Sequence, residues 1–351
     1  MLIPTEPIGS IPRPAALIDA LTGAASAGEL AAAQQSALVD TIRRFEATGS
    51  PVITDGEQTK PSFATYPLAG LTNLASDGVV IPFADGHTRQ LPVLTAGPFR
   101  YATHAASYVT AARALTDRPI KQAVISVSAL GLLYPNTPLP DYSREQFLDD
   151  LVAAGEADIR GALDAGAHSV QIDFTEARLS LKLDPSGGLL RSFIALNNRV
   201  LGRFDAATRA RLGVHVCPGG DHDSTHSADV DYGGLLAVLF ELEVGNVFMQ
   251  LASEADPAGV LALVARHRRP DQRVFVGVTD PIDPRVETPE LVCERVLAAA
   301  KLLPVEWLGT CDDCGFSPFA DDRSTARDVA FAKISARVEG TRLAAQRLGA
   351  S

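Results

Sequence analysis

The sequence predicts an α/β chain closed into a (β/α)8 TIM barrel, with a hairpin-like excursion inserted after the second strand. Three observations predict it. Short apolar runs alternate with longer Ala/Leu/Arg-rich segments of helical period, the pattern of a parallel sheet covered by helices. The runs number eight, and eight βα units close naturally into a barrel. Polar and reactive residues collect at the carboxyl ends of those runs, the face on which a barrel builds its sites.

The expected strands are 2–8, 51–55, 122–128, 169–173, 213–217, 246–252, 274–280 and 305–311. The expected helices are 29–48, 143–165, 191–210, 232–243, 257–267, 288–302 and 323–347. Segment 67–100, rich in Gly, Pro and Asp, breaks the alternation and is read as the excursion. No low-complexity linker or internal repeat divides the chain, so residues 1–351 read as one barrel domain. An open doubly wound sheet is the alternative.

Composition narrows the function classes. With 46% hydrophobic and 21% charged residues, the chain can bury a sizeable core. A net charge of −11 offers no basic surface for nucleic acid or anionic lipid. No apolar run reaches the roughly 18 residues that a membrane span needs. The opening MLIPTEPIGSIPRP lacks the basic and apolar regions of a signal peptide, so a cytoplasmic protein is expected. Four cysteines are too few for a disulfide framework and are expected to be reduced, which raises the question of metal binding.

The strand ends carry a consistent set. Ile8-Gly9-Ser10 follows the first, Asp55-Gly56-Glu57 the second, and Ser126 and Ser128 end the third. Asp173 ends the fourth, His215 and Cys217 the fifth, Gln250 lies in the sixth, Asp280 ends the seventh, and Cys311-Asp312-Asp313-Cys314 closes the eighth. His215 and Cys217 are spaced i, i+2, so on a strand both side chains point to one face and can reach one ion. Zinc takes thiolate and imidazole together, and a catalytic site keeps one position exchangeable. A third ligand has to come from elsewhere, and the cysteines of CDDCG (311–315) could reach across the barrel mouth. The alternative is that these cysteines are small buried hydrophobes and His215 a core histidine. Cys293, in the helical stretch ELVCERVLAAA, reads as core.

Taken in order, IGSIPRP (8–14), TDGEQ (54–58), VQIDF (170–174), HVC (215–217), NVFMQ (246–250), GVTDP (277–281) and DDCG (312–315) resemble cobalamin-independent methionine synthase and the superfamily built on its catalytic barrel. The resemblance covers nearly the whole chain. It implies zinc held by His215, Cys217 and Cys314, with Gln250 where the family has a carboxylate. A glutamine offers only a neutral carbonyl oxygen; Glu254, four residues on, is the lesser option. The resemblance also implies that Ile8, Gly9, Ser10, Glu57 and Asp173 grip the amino-acid part of a thiol substrate such as homocysteine, and Ser128 is placed with this set. His222 and His226 in PGGDHDSTH, together with Asp280, are the candidate acids for the leaving group. The folate features match less well. The third-strand region SVSALGLLYP has no Trp, 277–285 has no His, and the chain is too short for the family's second barrel. These departures point away from folate polyglutamate as donor.

The resulting expectation is zinc-dependent transfer of an alkyl group, methyl foremost, between a donor and a small-molecule thiol. Whether the chain forms a homo-oligomer is left open. A second reading resembles epoxyalkane–coenzyme M transferase, whose sulfonate thiol would want cations; Arg13, Lys60 and Arg178 lie near the mouth motifs. A third, of another class, is a metal-free decarboxylase-like or binding barrel, because a porphyrinogen decarboxylase shares the superfamily fold.

Overall fold

A computed structural model of the chain describes residues 3–350. Six parallel strands, Lys121–Ile125, Ser169–Asp173, Leu212–Val216, Asn246–Met249, Arg273–Gly277 and Leu308–Cys311, lie side by side in chain order. Strands Lys121–Ile125 and Leu212–Val216 are buried along their whole length, as expected where helices cover the outer face and side chains fill the inner one. The ring closes through two irregular segments. Ile53 bridges to Ile120 at one edge and Thr5 to Thr310 at the other. Between them the Thr54 hydroxyl donates to Gly9 O (2.7 Å) and Ile11 N–H to Gly56 O (3.0 Å). The eight-stranded TIM barrel is therefore present, but the expected strands 2–8 and 51–55 shrink to single bridges. Pro4, Pro7 and Pro51 supply no N–H for a ladder there. Residues 1, 2 and 351 lie outside the described residues, including the first position of that expected strand.

Local sequence explains the remaining boundaries. Helices Ala27–Ala47 and Arg144–Asp164 each start with a capping box, Ser26 with Glu29 and Ser143 with Gln146. The expected strand 122–128 stops at Ile125 because the Ser126 hydroxyl accepts the Ala129 N–H (3.1 Å) and opens helix Val127–Leu130. Ser128 is therefore helical. The expected helix 191–210 is two helices, Gly188–Leu201 and Ala206–Arg209, broken at Gly202. Helix Ala15–Thr22 was not expected from the sequence pattern. No helix of the described residues is long and apolar enough to cross a membrane.

The excursion is an antiparallel arm. Leu74–Ala75 pairs with Val93–Leu94, and Val80–Pro82 with Thr88–Gln90. Its tip folds back over the barrel mouth, where Ala84 N–H donates to Thr225 O (2.9 Å) and Asp85 N–H to Ser224 Oγ (3.2 Å).

A stacked aromatic pair plugs the barrel interior. The rings of Phe248 and Phe275 lie 4.3 Å apart at 20°. They fit because the flanking strands carry glycine: a Cβ at Gly213 would come within 2.7 Å of Phe248, and one at Gly309 within 2.5 Å of Phe275. Gly309→Ala should overpack this layer and cost about 1–3 kcal/mol, lowering the thermal midpoint by a few degrees. Gly28→Ala, in a helix with nothing within 4 Å of the added carbon, should be neutral or stabilise. Equal midpoints for both variants in a melting series would contradict this account of the interior.

Candidate metal centre and active site

Strand Leu212–Val216 carries His215 inward, and Cys217 follows it on the same face. Cys314 arrives from the loop after strand Leu308–Cys311. Ligand atoms of the three residues lie within 4.8 Å of one another. The Sγ atoms of Cys217 and Cys314 are 3.0 Å apart, too far for a disulfide bond of about 2.05 Å. The hydrogen bond between them pulls the Cys314 thiol well below the ordinary thiol range and pushes Cys217 well above it. His215 is 1% exposed, and neither ring nitrogen has a hydrogen-bond partner. Burying an unpaired polar group is costly. Two thiols and an imidazole with free nitrogens are a donor set suited to zinc, so the residues fit that ion.

The neighbouring candidates sort clearly. Gln250 follows strand Asn246–Met249 and lines a cleft on the other side of Cys314, together with Asp280 and Ser253. Asp313, which the sequence reading left without a role, ties this region together. Its Oδ1 accepts the N–H groups of Leu251 and Ala252, and its Oδ2 accepts the N–H and hydroxyl of Ser253, all at 2.7–2.8 Å. Glu254 is drawn away by Arg178 (2.8 Å). Cys311 points into the barrel, its thiol on Phe275 O, and Cys293 is buried in helix Pro289–Ala300.

A pocket opens above the thiols. Ile8, Gly9, Ser10, Glu57, Asp173, His215 and Cys314 line its base, and Phe63, Phe83, Arg89 and Phe319 its walls. The walls come partly from the arm and the 316–320 loop, which no sequence motif marked. Gly315 leaves room for Ser10, since a Cβ there would meet Ser10 Oγ at 2.3 Å and displace the hydroxyl. Arg13 fastens the rim: its guanidinium donates to the carbonyls of Glu57, Lys60, Ser317 and Phe319. Glu57 takes a left-handed backbone (φ +55°), a strained choice for a non-glycine residue that recurs at functional sites. Burial pushes its carboxyl up to about 7 against the pull of Lys60, which pairs with Glu57 Oε1 (2.9 Å). Burial also raises Asp173, whose Oδ1 accepts Gln171 Nε2 (2.7 Å).

The expected acids disperse. His226 lines the pocket. Burial, reinforced by Lys182 and Arg178, lowers it to about 4, so it is neutral near pH 7. Its ring sits where a Cβ on Gly219 (φ +70°) would fall. His222 lies out in the loop beside Arg89 (3.1 Å), and Asp280 lies in the Gln250 cleft. Ser128 is off the pocket and buried in a network with Glu176, Ser126 and Asn197. The three cations proposed for a sulfonate are committed: Arg13 to carbonyls, Lys60 to Glu57, and Arg178 to Glu254 and the carbonyls of Ala228 and Val230.

A second chamber continues from the first, sharing Phe63, Ile81, Arg89, Thr175, His226 and Phe319. Glu176, unmarked by the sequence reading, lines it. Its carboxyl is raised to about 7 by burial, against the hydroxyls of Ser126 and Ser128.

The chain is similar to known proteins over nearly its whole length. The family described as "Cobalamin-independent synthase, Catalytic domain" matches residues 3–329. A 5-methyltetrahydropteroyltriglutamate–homocysteine methyltransferase of Nitratidesulfovibrio vulgaris is 27% identical over 320 residues, covering 89% of this chain but only 38% of its own length. A methionine synthase of Saccharolobus solfataricus is 24% identical over 353 residues, covering 99% and 96% of the two chains. Among solved structures, a B12-independent methionine synthase from a Shewanella species, in complex with selenomethionine, superposes with a TM-score of 0.80 at 20% identity over the whole of both chains. A methyltransferase from Methanosarcina mazei gives 0.55 at 13%, covering 96% and 94%. These two likenesses establish the shared fold.

The raised Glu176 carboxyl has a stability consequence. A folded-state value above the unfolded one means that the folded chain holds the proton more tightly. The contribution is complete below pH 4.5 and is lost as pH rises through about 7. Denaturation of wild type against Glu176→Gln should therefore show wild type losing about 3 kcal/mol relative to the variant across that window. A difference that stays flat with pH would mean that Glu176 does not titrate there.

Proposed function

The chain belongs to the cobalamin-independent synthase catalytic-domain family, and on that premise we propose that it transfers a methyl group to the sulfur of homocysteine, with zinc held by His215, Cys217 and Cys314. The observation that carries this reading is a fully buried imidazole, without a protein partner on either nitrogen, beside two thiols at the base of a pocket that also holds two carboxylates.

The chain's own groups divide the work. Asp173 and Glu57 each have one oxygen engaged within the protein, leaving the second for a substrate ammonium. The Ser10 hydroxyl and the amides of the Ile8–Ser10 segment suit the substrate carboxylate. The amino acid anchored this way directs its thiol toward Cys217 and Cys314. Zinc bound at this set would keep that thiol deprotonated and nucleophilic near neutral pH. The buried base excludes water, and Asp313 holds the loop beside Cys314 in place through its bonds to residues 251–253. Holding thiol and donor together supplies a large part of the rate of a two-substrate reaction.

Charge favours homocysteine over a sulfonate thiol such as coenzyme M. A sulfonate entering this pocket would meet Glu57 and Asp173, while Arg89 at the rim is already paired with Asp221 and Asp321.

Two predictions follow from this reading. Protein purified without chelators should contain about one zinc per chain, and adding homocysteine should release a proton, whereas coenzyme M should not. Zinc far below one equivalent would remove the reading; proton release by coenzyme M alone would leave the metal and replace the substrate. Asp173→Asn should keep its zinc and weaken homocysteine binding by about 10- to 100-fold in calorimetric titration. Unchanged affinity would take the ammonium away from Asp173.

A further inference from the structure

We propose that Glu176 is the proton donor to the leaving group of the alkyl donor, which occupies the second chamber. The proposal rests on the reading that a thiol is alkylated above Cys217 and Cys314.

The hydrogen-bond network decides which oxygen can act. Ser126 and Ser128 both donate their hydroxyl hydrogens to Glu176 Oε1. Neither hydroxyl has a hydrogen to spare, and each is fixed by a donor behind it. Ala129 N–H donates to Ser126 Oγ (3.1 Å), and Asn197 Nδ2 donates to Ser128 Oγ (2.7 Å). Asn197 is itself anchored, giving a second bond to Phe193 O (3.0 Å). Oε1 is thus an acceptor in either charge state. When the carboxyl is neutral its proton must sit on Oε2, and Oε2 is buried with no partner in the protein. An unpaired buried carboxyl oxygen costs free energy, and a donor molecule in the chamber would satisfy it.

Position and surroundings agree. Glu176 is 5% exposed and lines the second chamber, which runs into the thiol pocket past Thr175, Phe63 and Phe319. The remaining wall near it is apolar: Ile125, Ala129, Leu132 and Leu179. An apolar wall disfavours the charged carboxylate and so favours a neutral acid. Of the other acids considered, His226 is held neutral by burial, and Asp280 lies in the cleft beyond Cys314.

The step balances. The sulfur electron pair forms the S–C bond, and the bond from that carbon to the leaving atom breaks with its pair on the leaving atom. That atom takes the Oε2 proton, and the Glu176 carboxylate regains one from solvent. The thiol proton has already gone to solvent on binding. The donor class is one whose leaving group departs as a base, an amine nitrogen or an alkoxide. A group that departs as a stable anion would not need Glu176.

The test exploits that contrast with two probe alkylators of homocysteine on the zinc-loaded protein. Ring opening of 1,2-epoxypropane leaves an alkoxide that must be protonated; methyl iodide leaves iodide, which need not be. Thioether formation is followed by mass spectrometry for wild type and Glu176→Gln. The loss caused by the substitution should be about 100-fold greater with the epoxide than with methyl iodide. Equal losses with both would make Glu176 a structural residue and overturn the proposal, as would no loss with either. A wild type that accelerates methyl iodide alkylation but not epoxide opening would also overturn it, while leaving the thiol reading intact. A wild type that accelerates neither would count against the thiol reading itself. Ser128→Ala, which removes one of the two bonds that commit Oε1, should give an intermediate, epoxide-selective loss; a loss shared equally by both probes would again make the network structural.

Discussion

A histidine ring buried with both nitrogens unpaired is hard to sustain in a protein interior, and His215 is such a ring. Satisfying it with a metal ion turns a penalty into a binding energy. The other features of the barrel mouth are arranged around that exchange. Cys217 shares its strand end, and the register of strand Asn246–Met249 against strand Leu212–Val216, with Phe248 opposite His215, sets Gln250 just beyond it. Cys314 reaches in because Asp313 anchors its loop to residues 251–253.

The substrate face depends on closure of the ring. Strands that are regular at six positions become single bridges at the other two, and that irregularity lets the Ile8–Ser10 and Asp55–Glu57 segments lie over the mouth. Arg13 then binds those segments to the 317–319 loop through four carbonyls. Its charge is thereby directed at backbone, and the pocket keeps the acidic character given by Glu57 and Asp173. The arm adds Phe83 and Arg89, so the pocket is completed by a segment outside the barrel's repeating units.

Much of this was legible in the sequence because it rests on short-range geometry. The i, i+2 spacing of His215 and Cys217 fixes their shared face, and apolar runs alternating with helical segments fix the barrel. What stayed hidden depends on partners distant in the chain. The first two strands rest on short runs with few apolar residues, and their prolines leave them without a ladder. Ser128 looked like a strand-end ligand until Ser126 capped a helix beneath it. Arg13, Lys60 and Arg178 looked like free cations, and only tertiary contacts reveal what they bind. Glu176 lies three residues past Asp173, yet its importance comes from Ser126, Ser128 and an apolar wall. Asp313 reads as one of two acidic residues between cysteines until its four bonds are seen.

The central claim is that His215, Cys217 and Cys314 hold one zinc ion with a position open to a substrate thiol. Zinc K-edge X-ray absorption of the loaded protein tests it directly, with and without homocysteine. The account predicts two sulfur neighbours plus nitrogen or oxygen for the free protein, from the two cysteines and the histidine, and one additional sulfur when homocysteine binds. A sulfur count unaltered by homocysteine, or a first shell without cysteine sulfur, would contradict it.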